Sequence, residues 1–377
     1  MAPRDDAGGP EGGMTARDYE MAPCLRDGPL AGAGRELVRT ARGLGTSALA
    51  SIWRAWTVPA LYDGMDRVFA NDDDPTPQIV DLLRRLTETL DRQRGVGWEA
   101  LLGSPAPAAL PPDDERDLQQ LTGDHFSNLF AEFSTDRFFE QPLEKFCTRL
   151  ERNGVSRDVF AGKTVLDAGC GAGRFSVAMR RLGASSVTGI DIAPTNIVTA
   201  RRYVERAGLD HVDFQVGSVL ELPFADGSFD LVLSFGVLHH TPDWKRGIGE
   251  MIRVLRSGGV GLIMYLNENP GGLFWDVLEI VRVIMWDESH AFARRALELA
   301  GVERERIIML LDPAMVPINV RLTPDEIEAC LAEHGATKVR RFERGADTDR
   351  VERVYQCTPF AREKYGTGDN RYVFEKP

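Results

Sequence analysis

The hydrophobic period changes along the chain. From Arg35 to about Leu90, apolar residues recur at helical spacing, among them Leu37, Ile52, Trp53, Trp56, Leu61, Met65, Val68 and Phe69. Positions three and four apart share one helix face, so this run predicts amphipathic helices. Asp72-Asp73-Asp74-Pro75 interrupts it and predicts a cap for a further helix over about 77–92. A Pro/Ala stretch from Gly103 to Pro112 predicts a linker and a domain boundary. Helical spacing returns over 126–153, with Phe126, Phe130, Phe139, Leu143 and Phe146 among its anchors.

From Lys163 short apolar runs alternate with amphipathic segments. Strands are expected over 164–168, 186–191, 212–216, 229–235 and 260–266, and helices over 174–182, 194–207 and 244–255. This alternation predicts an α/β fold, a doubly wound and mainly parallel sheet with helices on both faces. Such sheets bind ligands beyond the carboxyl ends of their strands, where the strand order reverses. Residues 267–320 break the alternation with apolar residues at helical spacing, including Phe274, Trp275, Ile280, Trp286 and Leu310. Two readings stay open for this insertion: packing onto the core or onto a second copy of the chain, and a lid over reacting groups. A helix over 324–334 and strands over 337–342 and 350–357 complete the pattern. The resulting division is a loose tail over 1–35, a helical region over 36–115, and a main domain over 116–377 carrying the insertion.

Composition narrows the function classes. Residues 1–35 are rich in Gly, Pro, Ala and charge, which predicts disorder or loose attachment. A net charge of -12 is unsuited to a general grip on nucleic acid, so no nucleic-acid partner is expected. No run of 18 apolar residues predicts a membrane span, and the first residues lack the apolar segment of a secretory signal. The cysteines Cys24, Cys147, Cys170, Cys330 and Cys357 are scattered, without metal-ligand or iron–sulfur spacing. Their odd number suits a reducing, cytoplasmic compartment, and no metal is expected. The apolar helices of the N-terminal region or the insertion offer faces for a homodimer.

The most informative stretch is Val165-Leu166-Asp167-Ala168-Gly169-Cys170-Gly171-Ala172-Gly173-Arg174. It predicts a buried strand, a glycine-rich turn and a helix start, a place where backbone N–H groups meet a ligand. The spacing Gly-x-Gly-x-Gly differs from the Gly-x-Gly-x-x-Gly of dinucleotide folds, because Arg174 stands where the third glycine would fall.

Here the sequence resembles the class I S-adenosylmethionine-dependent methyltransferases, from about Lys163 to Asn267. The resemblance implies a Rossmann-like sheet of seven strands with the last antiparallel, and S-adenosylmethionine as cofactor. It implies a cofactor site made of Asp167, Gly169, Cys170, Gly171 and Gly173 in the first motif. Asp191 would receive the ribose hydroxyls, with Ile192 against the adenine; read without the family, Asp191 could instead cap the helix at Pro194. Gly217-Ser218-Val219 matches the third motif, but Ser218 stands where an acidic residue is common, so its contribution is open. Ser234-Phe235-Gly236-Val237 lacks the Asn/Asp-Pro-Pro-Tyr of enzymes that methylate exocyclic amines of bases or amides. It looks like the small-molecule branch that includes the quinone C-methyltransferases, the type 11 group.

His239 and His240 follow. An acceptor hydroxyl or ammonium must lose a proton during methyl transfer, and histidine titrates in the right range. Either residue could serve as the base or simply pack, with His240 the stronger candidate. Oxygen or nitrogen is therefore the expected acceptor atom in a small metabolite, with carbon and sulfur open. Phe126, Phe130, Tyr265 and Trp275 are candidate pocket walls, Tyr265 foremost because it ends the fifth strand. A basic run, Lys338, Arg340, Arg341, Arg344, Arg350 and Arg353, reads as an ion-paired face. Two rivals remain: a non-methylating enzyme on the same fold, such as an NADP-dependent reductase, and a non-catalytic subunit held to a partner.

Overall fold

The computed structural model describes residues 23–93 and 139–377. The linker expected at 103–112 and the candidate walls Phe126 and Phe130 lie outside the described residues. The chain enters through helices α1 (Pro23–Arg26), α2 (Ala31–Arg42), α3 (Ala48–Phe69) and α4 (Pro75–Asp91). Ser47 caps α3 by accepting from the Ala50 amide, and Asp74 caps α4 by accepting from the Thr76 amide, with Pro75 at its first position. The helices begin earlier than the expected loose tail allows. Cys24, Leu25 and Leu30 are buried, and Gly34 brings α2 so close to Ile280 of the insertion that a Cβ there would lie 2.9 Å from its Cδ1. Docking on a distant segment, rather than local propensity, orders this part of the chain.

Helix α5 (Gln141–Arg152) leads into the alternating region: β1 (Thr164–Ala168), α6 (Arg174–Arg181), β2 (Ser186–Asp191), α7 (Pro194–Arg206), β3 (Val212–Val216), β4 (Phe229–Ser234), α8 (Trp244–Val254) and β5 (Leu255–Leu266). The insertion supplies α9 (Gly272–Met285), α10 (His290–Leu299) and α11 (Arg304–Met315). The chain ends with α12 (Pro324–Glu333), β6 (Thr337–Arg341), α13 (Arg350–Tyr355), α14 (Ala361–Tyr365) and β7 (Asn370–Glu375).

The strands form one seven-stranded sheet in the order β3-β2-β1-β4-β5-β7-β6. β1 to β5 pair in parallel, while β7 runs antiparallel to both its neighbours. This is the doubly wound architecture expected, with the reversal of order between β1 and β4. Alternate side chains feed opposite faces. Val165, Leu231 and Leu262 pack under Phe146 and Met179 on one face, and Leu166, Val232 and Ile263 pack with Ile248 and Met251 on the other.

The strand expected over 350–357 is corrected: residues 350–355 form α13, and the last strand is Asn370–Glu375. Val351, Val354 and Tyr355 carry strand propensity, but the helix allows Glu352, fully buried, to accept from Arg344 and from the Gly345 amide. Most of the basic run is ion-paired or bonded to carbonyls. Lys338 pairs with Glu375, Arg344 with Glu352 and Arg350 with Glu268, and Arg341 donates to the Thr367 carbonyl.

The N-terminal helices and the insertion share one apolar core, where Leu37, Leu61, Leu83, Ile280, Ile284 and Leu311 are all at 0 % exposure. They form a single helical body over the sheet domain. The buried pair Arg54–Glu288 joins α3 to the insertion, and Lys364 of α14 donates to the carbonyls of Phe69 and Asn71 at the end of α3. Among the described residues no helix is long and apolar enough to cross a membrane, and no group of His, Cys, Asp and Glu is placed to hold a metal ion.

Candidate functional site

A cavity opens beyond the carboxyl ends of β1, β2, β4 and β5, at the reversal of strand order. The glycine turn after β1 forms its floor. Gly169, Gly171 and Gly173 have φ of +83°, +52° and +81°, conformations that side-chain-bearing residues rarely adopt. At Gly169 space matters too, since a Cβ would lie 2.4 Å from Val237 Cγ2 in the loop after β4. The expectation of free turn amides is narrowed. Gly169 and Cys170 donate to the Ile190 carbonyl, and Gly171 donates to Asp191 at 2.8 Å.

Asp191 at the end of β2 is the organising carboxylate. Besides Gly171 it accepts from the Ala193 amide and from Asn196 Nδ2, both at 3.0 Å. It thus serves both readings made from sequence: it ties the start of α7 and faces the cavity with Ile192. Three of about four acceptor directions are used, so roughly one remains for a ligand. Burial pushes its carboxyl above the ordinary range, against the pull of these donors. Asn196, which lines the cavity and holds Asp191, escaped the sequence reading; its position at the first turn of α7 was the available signal.

Three of the expected cofactor residues stand behind the cavity. Gly173 packs against Ala200 and Phe214, and Ser234 is buried with its hydroxyl unpartnered. Asp167 is 1 % exposed and accepts from the Ser176 hydroxyl at 2.6 Å. Burial pushes Asp167 up to about 7 from an ordinary 3.8. Between those values the folded chain holds more proton on this group than the unfolded chain does. Stability therefore falls as pH rises from about 4 to about 7, then levels. Denaturant titrations should show that fall, and Asp167→Asn should flatten it; an unchanged slope would mean that Asp167 does not carry it.

Cys170, Ser218 and Val219 line the cavity, and so does Phe235. Phe235 stacks on Phe175 with centroids 4.0 Å apart, while Arg149 lies over the outer ring and Arg174 over Phe175. Arg174 also faces the cavity and was missed as a site residue, although its place at the first position of α6 marked it. Burial and the neighbouring Arg149 lower its guanidinium to about 10, which leaves it cationic at neutral pH. Trp275 is corrected: it does not line the cavity but is 2 % exposed within α9, its ring pressed on the backbone of Gly271.

The histidines form the opposite wall. His239 is 1 % exposed, with Nδ1 unpartnered, and burial followed by the adjacent His240 holds it well below its ordinary value, so it is neutral. His240 Nδ1 lies 2.7 Å from the Ile318 carbonyl. A carbonyl only accepts, so Nδ1 carries a proton and donates it to Ile318. Ile318 belongs to the end of the insertion, after α11, and Val320 also donates to the His239 carbonyl at 2.8 Å. The insertion contributes Asp312 to the cavity as well, a residue no local pattern singled out. Tyr265 completes this wall at the end of β5 and packs edge-on to His239.

Residues 166–263 match the family model described as a methyltransferase domain. The ubiquinone biosynthesis O-methyltransferase of Caulobacter vibrioides is 30 % identical over 191 residues, 50 % of this chain and 65 % of its own. The 27-O-demethylrifamycin SV methyltransferase of Amycolatopsis mediterranei is 34 % identical over 174 residues, 43 % of this chain and 62 % of its own. The ubiquinone biosynthesis O-methyltransferase of Brucella anthropi is 29 % identical over 227 residues, 56 % of this chain and 80 % of its own. The chain spans less than two thirds of the length of the first two relatives.

Proposed function

We infer, for a chain that belongs to the class I S-adenosylmethionine-dependent methyltransferases of the type 11 group, that it methylates an oxygen atom of a small metabolite. The observation that carries this reading is the place of His240 on the lining of this cavity, with its ring fixed by Nδ1 at 2.7 Å from the Ile318 carbonyl.

The residues present fit the cofactor. The turn at Gly169–Gly171 allows close backbone approach, Asp191 retains an acceptor for a ribose hydroxyl, and Ile192 and Val219 offer an apolar slot for a base. Arg174 offers a cation for a carboxylate. When bound, S-adenosylmethionine supplies a methyl carbon on a sulfonium sulfur that leaves as a neutral thioether. His240 would take up the proton of an acceptor hydroxyl as that oxygen is methylated. Asp312 of the helical body reaches the cavity at this end of the sheet, and closer packing of that body over bound reactants would keep water from the reacting atoms. Holding two reactants in line is worth roughly 7–11 kcal/mol in favourable cases, so enclosure and the base act together.

The test is transfer of labelled methyl from S-adenosylmethionine into a metabolite extract of the source cell, followed by mass spectrometry of the labelled product. An O-methylated small molecule is expected. Labelling only of nitrogen, carbon or sulfur would overturn the oxygen assignment, and cofactor binding without any transfer would favour a non-catalytic role.

A further inference from the structure

Residues 316–322 join α11 to α12 and are stitched to other parts of the chain on the way. Pro317 stands just beyond the end of α11, and the capping box of Thr323 and Glu326 starts α12, so the stretch belongs to neither helix. Its backbone groups find their partners elsewhere. The Ile318 carbonyl accepts from His240 Nδ1 at 2.7 Å, and the Val320 amide donates to the His239 carbonyl at 2.8 Å. The Leu322 amide donates to the Asn267 carbonyl at 2.9 Å. The Leu322 carbonyl accepts from the Asn269 amide at 3.0 Å and from Asn370 Nδ2 at 2.8 Å. Residues 318, 320 and 322 are alternate positions, so these groups share one edge, as in a strand. Val320 and Leu322 pack into the apolar cluster that holds Leu238 and Leu266.

The residues between them add two side-chain fastenings. Asn319 Oδ1 accepts from Nδ2 of Asn267, which is 2 % exposed just after β5. Arg321 turns to the helical body: it pairs with Glu279 of α9 at 3.7 Å and lies 5.9 Å over the Trp275 ring. Glu279 is buried, so that pair is shielded from solvent. One short piece of chain is therefore tied to the histidine turn, to the end of β5, to the start of β7 and to the helical body. We propose that residues 316–322 are a positioning strap for methyl transfer. Asn319 and Arg321 are its positioning residues: they hold the Ile318 carbonyl, and with it the His240 ring, in place on the cavity lining. Through Arg321 the placement of the helical body sets the placement of that ring. The proposal rests on the methyl-transfer reading above and adds to it two residues that stand outside the lining of the cavity.

The experiment uses the full chain and three measurements on each variant: labelled-methyl transfer to the acceptor isolated from the extract, titration with S-adenosylmethionine, and amide hydrogen exchange over 316–323. Asn319→Ala and Arg321→Ala should each speed exchange of the Val320 and Leu322 amides about tenfold, because the strap opens more often. Each should also lower kcat about ten- to a hundredfold, the cost of a small displacement of a catalytic group, while cofactor affinity stays within about a factor of two. Asn319→Asp keeps an oxygen for the Asn267 amide, and Arg321→Lys keeps the charge opposite Glu279, so both should recover most of the rate. Should Asn319→Ala fail to fold, Arg321→Ala decides. Faster exchange with kcat unchanged, or a loss of kcat matched by an equal loss of cofactor affinity, would mean that the strap only holds the fold together, and overturns the positioning role. Unchanged exchange with an unchanged rate overturns it as well; each of these results leaves methyl transfer standing. Absence of any label transfer by the wild type removes both.

Discussion

Replacing His240 by glutamine is expected to lower kcat on the extract-derived acceptor about 10²-fold or more, while affinity for S-adenosylmethionine stays within about a factor of two. The first part follows from the proton that an attacking hydroxyl must lose. The Ile318 carbonyl fixes the imidazole through Nδ1 on the lining of the cavity, and glutamine keeps polarity at the site without offering a base of comparable strength. The second part follows because the proposed cofactor contacts are the glycine turn, Asp191 and the Ser218–Val219 edge rather than His240. Isothermal titration with the cofactor and single-turnover rates separate the two quantities. Full activity in His240→Gln would leave this residue with a packing role and return the base assignment to nothing on this wall, because His239 is sealed and neutral.

Asp191→Ala should raise the dissociation constant for S-adenosylmethionine about 10²-fold. A hydrogen bond to a charged group contributes about 1.5–3 kcal/mol, which is ten- to a hundredfold in affinity. The alanine also strips the acceptor from Gly171, Ala193 and Asn196, so the turn that shapes the floor loses its tie to β2. Asp191→Asn keeps one acceptor oxygen and should fall between the two. The comparison matters, because a merely structural carboxylate would lower the melting temperature in both variants with affinity recovered at low temperature. Calorimetry at low temperature that gives an unchanged constant for Asp191→Ala would remove the ribose assignment.

The site was readable in unequal parts. The glycine turn, Asp191 and the histidine pair stand in short runs whose local chemistry is visible, and they meet in one cavity because parallel strands all end on the same side. Asp167, Gly173, Ser234 and Trp275 stand apart from the cavity for one reason. A motif marks a stretch of chain, while pleat and helical rotation decide which of its side chains face the ligand. Asn196 and Arg174 were overlooked although they sit at helix starts beside the motifs, where geometry alone favours contact with a ligand. The C-terminal segment misled in the opposite sense. Residues 350–355 have strand-forming side chains but are helical, and the last strand, β7, comes later, with Tyr372 and Phe374 fully buried between β5 and β6.

By itself the sequence determined the alternation of strands and helices, the parallel sheet and the sharp turn after β1, because each depends on residues within a few positions of one another. Tertiary structure alone decided that His240 meets the Ile318 carbonyl, that Tyr265 accepts from Arg350 and that Asp312 reaches the cavity. The first two rest on bonds between residues 78 and 85 positions apart in the chain. No local period encodes such pairings. They exist because the insertion and the N-terminal helices bury one common apolar core, and that burial brings the end of the insertion onto the carboxyl ends of the strands.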